Sequence, residues 1–412
     1  MSAAAPRFAP EMMARLDELG RISENPENLT RTTFSPEHKQ ANNLVLDWMR
    51  QAGMAAHEDA AGNVVGLYAG SDPARPRLML GSHLDTVRNA GKYDGMLGVV
   101  AAIACVAELH KQQKRLPFGI EVIGFSNEEG TRFGVAMTGS RAVAGTFAPE
   151  LFEAKDRNGV SYREALAGFG LDETRIPAIA RKPGEIAAFM ELHIEQGPVL
   201  ERNGLALGVV TAISGARRYR VDMKGLAGHA GTVPMGGRQD ALLAAAEVAL
   251  FIEKRCTGTP TLVGTVGQME AFPGAVNVIP GAARFSIDIR AAEDAVRDVA
   301  ADAVLAEIPL IAGRRNVQAT ITALYDSKAT PCDPALMDQV EAAILAQGVP
   351  TMRLPSGAGH DAMTVAPLCP VGMIFMRCTK GISHNPLEAV LPEDVELATR
   401  ALYHFIEHFP GT

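Results

Sequence analysis

Two rhythms of apolar residues run along this chain, and their order limits what it can fold into. Short apolar runs of strand length at 63–68, 77–80 and 120–125 alternate with helical stretches at 11–19, 36–51 and 98–111. Apolar runs without polar alternation suit strands buried on both faces, and strand–helix–strand order needs crossovers. The sequence therefore predicts a mainly parallel sheet covered by helices. From 212 the rhythm becomes strand 218–224, helix 238–254, strands 261–269 and 283–290, helix 292–307 and strand 317–324. That βαββαβ order is a ferredoxin-like unit, able to stand alone as a small α+β domain. After 326 the first rhythm returns, with helix 334–346, a strand near 352, strand 371–375 and a last helix from 392. The expected architecture is an α/β catalytic domain in two segments, 1–211 and 328–412, with an α+β domain inserted at 212–327.

Composition agrees with that division. The 412 residues are too many for one ordinary core, and a 47% apolar, 21% charged chain excludes wholesale disorder. Lys and Arg number 39 against 47 acids, for a net charge of −8 with no basic cluster, which argues against nucleic acid or an anionic membrane as partner. Five scattered cysteines form no C-x-x-C pair, so neither a disulfide scaffold nor a structural zinc ribbon is expected. Residues 1–10 have no apolar core of a signal peptide, and the most apolar stretch, 98–109, is too short to span a bilayer. A cytoplasmic location is expected.

Five of ten histidines, His83, His193, His229, His360 and His384, fall in turn-like polar contexts; His38, His57, His110, His404 and His408 read as surface groups. Carboxylates accompany the first set: His83-Leu84-Asp85, Asp94-Gly95, Glu128-Glu129 and Glu191-Leu192-His193-Ile194-Glu195. Imidazole with carboxylate suits a borderline divalent ion such as zinc, manganese or cobalt. His83 and Glu128-Glu129 follow predicted strands, where open α/β sheets bind ligands.

Gly81-Ser82-His83-Leu84-Asp85-Thr86, Tyr93-Asp94-Gly95 and Asn127-Glu128-Glu129-Gly130 resemble the di-metal aminoacylase/carboxypeptidase superfamily. His193-Ile194-Glu195-Gln196-Gly197-Pro198, Gly228-His229-Ala230-Gly231, Ser356-Gly357-Ala358-Gly359-His360-Asp361 and Gly381-Ile382-Ser383-His384-Asn385-Pro386 are similar to its hydantoinase/carbamoylase branch. The match spans nearly the whole chain in order. It implies a di-metal exopeptidase-like catalytic domain and an inserted lid/dimerisation domain. It further implies two divalent ions, with His83 and His193 on one ion each, Asp94 bridging, and Glu129 and His384 completing the set. Asp85, two residues after His83, can accept from the other imidazole nitrogen and fix its orientation. Glu195 stands as the rival to His193, but the His193-Ile194-Glu195-Gln196 run favours His193.

The resemblance also implies Glu128 as general base and His229 as donor to the oxyanion. Arg290 and Asn277 would hold the substrate carboxylate, and Gln196 would face the carbamoyl group. Backbone N–H groups around Gly359 would assist, with His360 in support. The activity implied is hydrolysis of N-carbamoyl-L-amino acids, or of allantoate, N-carbamoyl-β-alanine or N-acyl amino acids at the same site. A non-catalytic metal-binding relative is the alternative of a different class. The partner expected is a small carboxylate-bearing ureide or amide, with a homodimer formed through the inserted domain. Ligands in one domain and a carboxylate clamp in the other imply closure during turnover.

Overall fold

The computed structural model describes residues 7–411. In chain order the first segment holds α1 (Ala9–Gly20), α2 (Pro36–Gln51), β1 (Ala55–Glu58), β2 (Val64–Tyr68), β3 (Arg77–His83), α3 (Met96–Lys111) and β4 (Ile120–Phe125). It continues with α4 (Thr138–Val143), α5 (Tyr162–Gly168), β5 (Ile186–Ile194), α6 (Val199–Arg202) and β6 (Leu207–Ile213). The middle of the chain holds β7 (Gly215–Lys224), β8 (Gly228–His229), α7 (Ala241–Cys256), β9 (Val263–Thr265), β10 (Met269–Phe272), β11 (Val278–Ile279), β12 (Ala282–Ala291), α8 (Asp294–Arg314) and β13 (Gln318–Ser327). The last part holds β14 (Thr330–Pro331), α9 (Pro334–Leu345), β15 (Arg353–Ser356), α10 (Ala362–Val365), β16 (Val371–Met376) and α11 (Pro392–His408).

These elements form two compact units. One runs to Thr211 and resumes with Cys332–Leu354 and from Gly359 onward; the other is Ala212–Pro331 with Pro355–Ala358. In the first unit the strand order is β1-β2-β4-β3-β5-β16-β6. The central pairings β4-β3, β3-β5 and β5-β16 are parallel, flanked by antiparallel ones. Every residue of β4 and β16 is buried. Helix α3 is buried almost all round, as its uniformly apolar sequence requires. Helix α2 starts where Ser35 accepts the His38 N–H with Pro36 in the first turn. This is the mainly parallel α/β sheet the sequence predicts.

Three sequence expectations change. Strand β5 lies where none was placed, because Glu191 and His193 interrupt its apolar run; both are fully buried, so polarity there marks chemistry rather than a turn. His38 is buried and not a surface group: its Nδ1 accepts the Phe34 N–H. The single strand expected at 261–269 is two, β9 and β10, both pairing β12.

The second unit is an antiparallel sheet ordered β10-β12-β7-β13. On β12, Ala283, Phe285, Ile287 and Ile289 pack into the core shared with α7 and α8, so Arg284, Ser286, Asp288 and Arg290 point to the opposite face. Among the described residues no helix is long and apolar enough to cross a membrane.

Candidate active site

In the first unit the side chains of the candidate ligands converge beyond the carboxyl ends of the parallel strands. His83 is the last residue of β3, His193 the eighth of β5, and Glu128-Glu129 follow β4. Asp94 lies in the turn leading into α3. Its neighbour Gly95 takes φ +71°, and a Cβ there would stand 2.4 Å from the His83 ring, so only glycine fits.

Asp94 is the hub. Its Oδ1 lies 3.0 Å from His193 Nε2 and 3.6 Å from His83 Nε2; its Oδ2 lies 3.0 Å from His384 Nε2. Glu129 approaches His384 Nε2 to 3.5 Å. Donor atoms of His83, Asp94 and His193 form one set able to hold an ion, and those of Asp94, Glu129 and His384 another. His83 and His193 therefore share one carboxylate oxygen.

The protonation of the two buried imidazoles decides what this arrangement can bind. His83 Nδ1 donates to the Asp85 carbonyl at 2.9 Å and His193 Nδ1 to the Ile194 carbonyl at 2.8 Å. Burial lowers the proton affinity of both rings but Asp94 raises it by more; a ring so tied that gives up its Nε2 proton turns that lone pair toward Asp94 Oδ1. His193 Nε2 is buried and close to that oxygen without the alignment of a hydrogen bond. Lone pairs facing a carboxylate repel unless a cation or protons stand between them. The residues thus fit divalent ions, as the donor types do.

Electrostatics points the same way. Burial works against the Asp94 charge, but the close imidazoles of His193, His384 and His83 hold its carboxyl well below the usual range. His384 is pushed up to about 9 by Asp94. Burial and then the Asp94 charge push Glu129 up to about 7. Burial raises Glu128 well above the ordinary value, reinforced by Glu129, Asp361 and Asp85. Among the described residues no Lys or Arg forms an ion pair with Asp94, Glu128 or Glu129, and an uncompensated buried carboxylate cluster is costly without cations.

Further contacts orient the ligand side chains and the loops that carry them. Asp85 orients His83 through its backbone carbonyl. The carboxylate accepts the N–H groups of Glu128 (2.9 Å) and Glu129 (3.2 Å) and so sets that loop. Glu195 is committed elsewhere, accepting the N–H groups of Val199 and Leu200 at the start of α6, so His193 and not Glu195 meets Asp94. Asn127, Gln196 and His384 all adopt left-handed backbone, with φ of 56°, 57° and 53°. Such conformations in non-glycine residues mark places where the surroundings impose the geometry. Gln196 Nε2 donates to Asp94 Oδ2 at 2.8 Å, while its Oε1 is buried with no hydrogen-bond partner. His360 packs edge-on against the His193 ring, centroids 4.5 Å apart. Ser383 and Glu388 escaped the sequence reading: Ser383 Oγ lies 3.0 Å from Asp94 Oδ2 and donates to Glu388 at 2.7 Å. Glu388 sits just beyond the Gly381–Pro386 motif, which was the available signal.

The second unit holds His229, Asn277 and Arg290. His229, in β8, pairs with Val278 of β11, beside Asn277, whose carbonyl accepts the Ala230 N–H. The Gly231 N–H donates to His229 Nδ1 at 3.1 Å, which leaves the neutral ring's proton on Nε2, an exposed donor. Arg290 meets Asp288 through Nε and Nη2, both at 2.9 Å, and donates through Nη1 to the Gly357 carbonyl at 2.8 Å. Asp288 also pairs with Arg218 across the strands at 2.8 Å. One N–H on each of Nη1 and Nη2 stays uncommitted, an edge able to take a carboxylate. Arg290 borders a cavity of about 640 Å³ that is also lined by Arg218, Thr265, Gln268 and Ser286. No hydrogen bond links Arg290 to Asn277. At the 356–359 turn the Ala358 N–H is held by Ser356 Oγ. Gly359 is exposed, and a side chain there would meet Met137.

A profile of peptidase family M20/M25/M40 matches residues 79–408. The chain belongs to that family. An N-carbamoyl-L-amino acid amidohydrolase of Geobacillus stearothermophilus is 42% identical over 95% of this chain and 96% of its own length. Allantoate deiminase 2 of Glycine max is 39% identical over 97% and 89%. A crystal structure of a hydantoinase/carbamoylase family amidase from Burkholderia multivorans superposes with a TM-score of 0.92 at 32% identity, covering 98% of each chain. The family branch drawn from the motifs is thus the one these proteins represent, and the Burkholderia multivorans amidase shares the fold.

Proposed function

We propose that the protein is a metal-dependent amidohydrolase that converts an N-carbamoyl-L-amino acid and water to the free amino acid, ammonia and carbon dioxide. The observation that carries this reading is the Asp94 carboxylate, faced on one oxygen by His83 and His193 and on the other by His384. The named relatives supply the substrate class. His83, His193 and Asp94 would hold one ion, and Asp94, Glu129 and His384 the second, rather than one ion for each of His83 and His193. Zinc, manganese or cobalt suits the donors. Such ions would lower the pKa of a water and polarise the scissile carbonyl.

The chain's own groups do the rest. Glu128, whose proton affinity burial has raised, takes a proton from the attacking water and delivers it to the leaving amino nitrogen. His229, with Nδ1 committed to Gly231, donates from Nε2 to the developing oxyanion. Arg290 presents its uncommitted edge to the substrate carboxylate, and the Asn277 amide would donate to the same group. Gln196 Oε1, buried without a partner, accepts from the carbamoyl NH₂ group, and the Gly359 backbone adds a donor. A cytoplasmic location is supported by five cysteines that are free and buried. A homodimer through the second unit is supported by Leu243 and Leu250, two turns apart on α7 and both exposed.

The test is ammonia release from a panel of N-carbamoyl-L-amino acids, allantoate, N-carbamoyl-β-alanine and N-acetyl amino acids, before and after chelation. Turnover of the N-carbamoyl-L-amino acids that chelation abolishes and manganese, cobalt or zinc restores is the expected outcome. Allantoate turnover with none of N-carbamoyl-L-amino acids would replace the substrate; chelator-insensitive turnover would refute the mechanism.

A further inference from the structure

Two loops far apart in sequence meet at the metal site: the turn bearing Asp94, and the segment bearing Ser383 and His384. One buried carboxyl, Glu388, touches both. Its Oε1 accepts the backbone N–H of Tyr93 at 2.8 Å and of Asp94 itself at 3.2 Å. Its Oε2 accepts the Ser383 hydroxyl at 2.7 Å, and the same hydroxyl oxygen stands 3.0 Å from Asp94 Oδ2. The Glu388 N–H donates to the Asn385 carbonyl at 3.0 Å, closing the turn that follows His384.

The chain makes room for this carboxyl at a second place. A Cβ on Gly91 would stand 2.2 Å from Glu388 Oε1 and 2.3 Å from its Cβ and Cδ. No Lys or Arg among the described residues pairs with Glu388, so hydrogen bonds to two loops account for its burial. Buried N–H groups left without an acceptor are costly, so the loops are held where the carboxyl puts them. His384 adds to the need, because its left-handed φ of 53° must be imposed by its surroundings.

We propose that Glu388 is a positioning residue: a clasp that sets the Asp94 turn against the His384 loop and so fixes the spacing of the two ion-binding sets. The proposal rests on reading Asp94 and His384 as ligands. It acts through hydrogen bonding alone, so an amide should serve nearly as well. A glutamine Oε1 can accept both N–H groups, and its NH₂ can donate to Ser383 Oγ.

The test is cobalt binding to the chelator-stripped full-length chain, followed by calorimetry and by the visible d–d absorption of bound cobalt. Glu388→Ala should lose roughly 10- to 100-fold in affinity and alter the cobalt spectrum, the range expected when a group orienting a ligand is removed. Glu388→Gln should stay within about 3-fold of the parent, a rescue that a need for buried charge would not permit. Gly91→Ala, which leaves Glu388 in the chain but takes its space, should resemble Glu388→Ala. Should Glu388→Ala fail to fold, the Gly91→Ala and Glu388→Gln pair decides. Parent-like affinity and spectrum in Glu388→Ala or Gly91→Ala overturns the clasp. So does a loss in Glu388→Gln as large as in Glu388→Ala. A parent chain that takes up no cobalt overturns the ligand reading, and the clasp with it.

Discussion

Replacing Glu128 by glutamine separates two roles that geometry brings close together. Donor atoms of Glu128 lie with those of His83 and Glu129, so the carboxyl could serve as a base or as a ligand. Glutamine keeps the shape and removes the proton acceptor. As the base, Glu128 contributes roughly 10²- to 10⁴-fold to turnover. The substitution should therefore raise the barrier by about 2.7 to 5.4 kcal/mol. Ammonia release under saturating substrate measures this, and cobalt calorimetry on the same protein should show parent stoichiometry and affinity. Stability supplies an independent check with a definite sign. Burial and neighbouring carboxylates raise the Glu128 carboxyl above its ordinary 4.5, so in the metal-free fold it costs stability at pH above 4.5 and nothing below. Metal-free Glu128→Gln should melt at or above the parent temperature near pH 7, and the two should converge as pH falls below about 4.5. Parent-like ammonia release, or loss of a bound ion, would refute the assignment of the base. A lower melting temperature near neutrality would refute the electrostatic account.

Three further outcomes follow from single contacts. Arg290→Lys keeps the charge but not the planar fork, and should raise KM for an N-carbamoyl-L-amino acid roughly 10- to 100-fold with little change in kcat; an unchanged KM would remove Arg290 from carboxylate binding. Because His384 is raised to about 9 in the metal-free protein, a proton must leave before an ion can bind. Cobalt affinity should accordingly rise with pH up to about 9 with measurable proton release, and a pH-independent affinity would count against His384 as a ligand. Glu195→Ala removes the acceptor for the Val199 and Leu200 N–H groups, and should cost about 1–2 kcal/mol in urea unfolding while leaving cobalt uptake intact. Lost cobalt uptake in that variant would restore Glu195 as a ligand.

How far the sequence carries differs from one residue to the next. The parallel sheet and the βαββαβ insert were legible because their signal is local: apolar runs of strand length, helical periodicity, and Ser35-Pro36 at a helix start. Strand β5 was not, since Glu191 and His193 break its apolar run and only neighbouring strands reveal that they are buried. The candidate ligands were legible as residue types beside strand ends and through the resemblance they carry. Their grouping was not, because His83, Asp94, His193 and His384 span 302 positions and meet only in three dimensions.

Periodicity and side-chain type are properties of neighbouring residues, and they were enough to set the architecture and the chemical class of the donors. Packing in three dimensions was needed to show that His83 and His193 face one oxygen of Asp94, that Asp85 works through its carbonyl, and that Glu195 accepts from the first N–H groups of α6. It alone joined Glu388 to a loop nearly 300 residues earlier. Those assignments depend on distance and on which lone pair or N–H is already committed, and neither is fixed until the strands and loops are packed together.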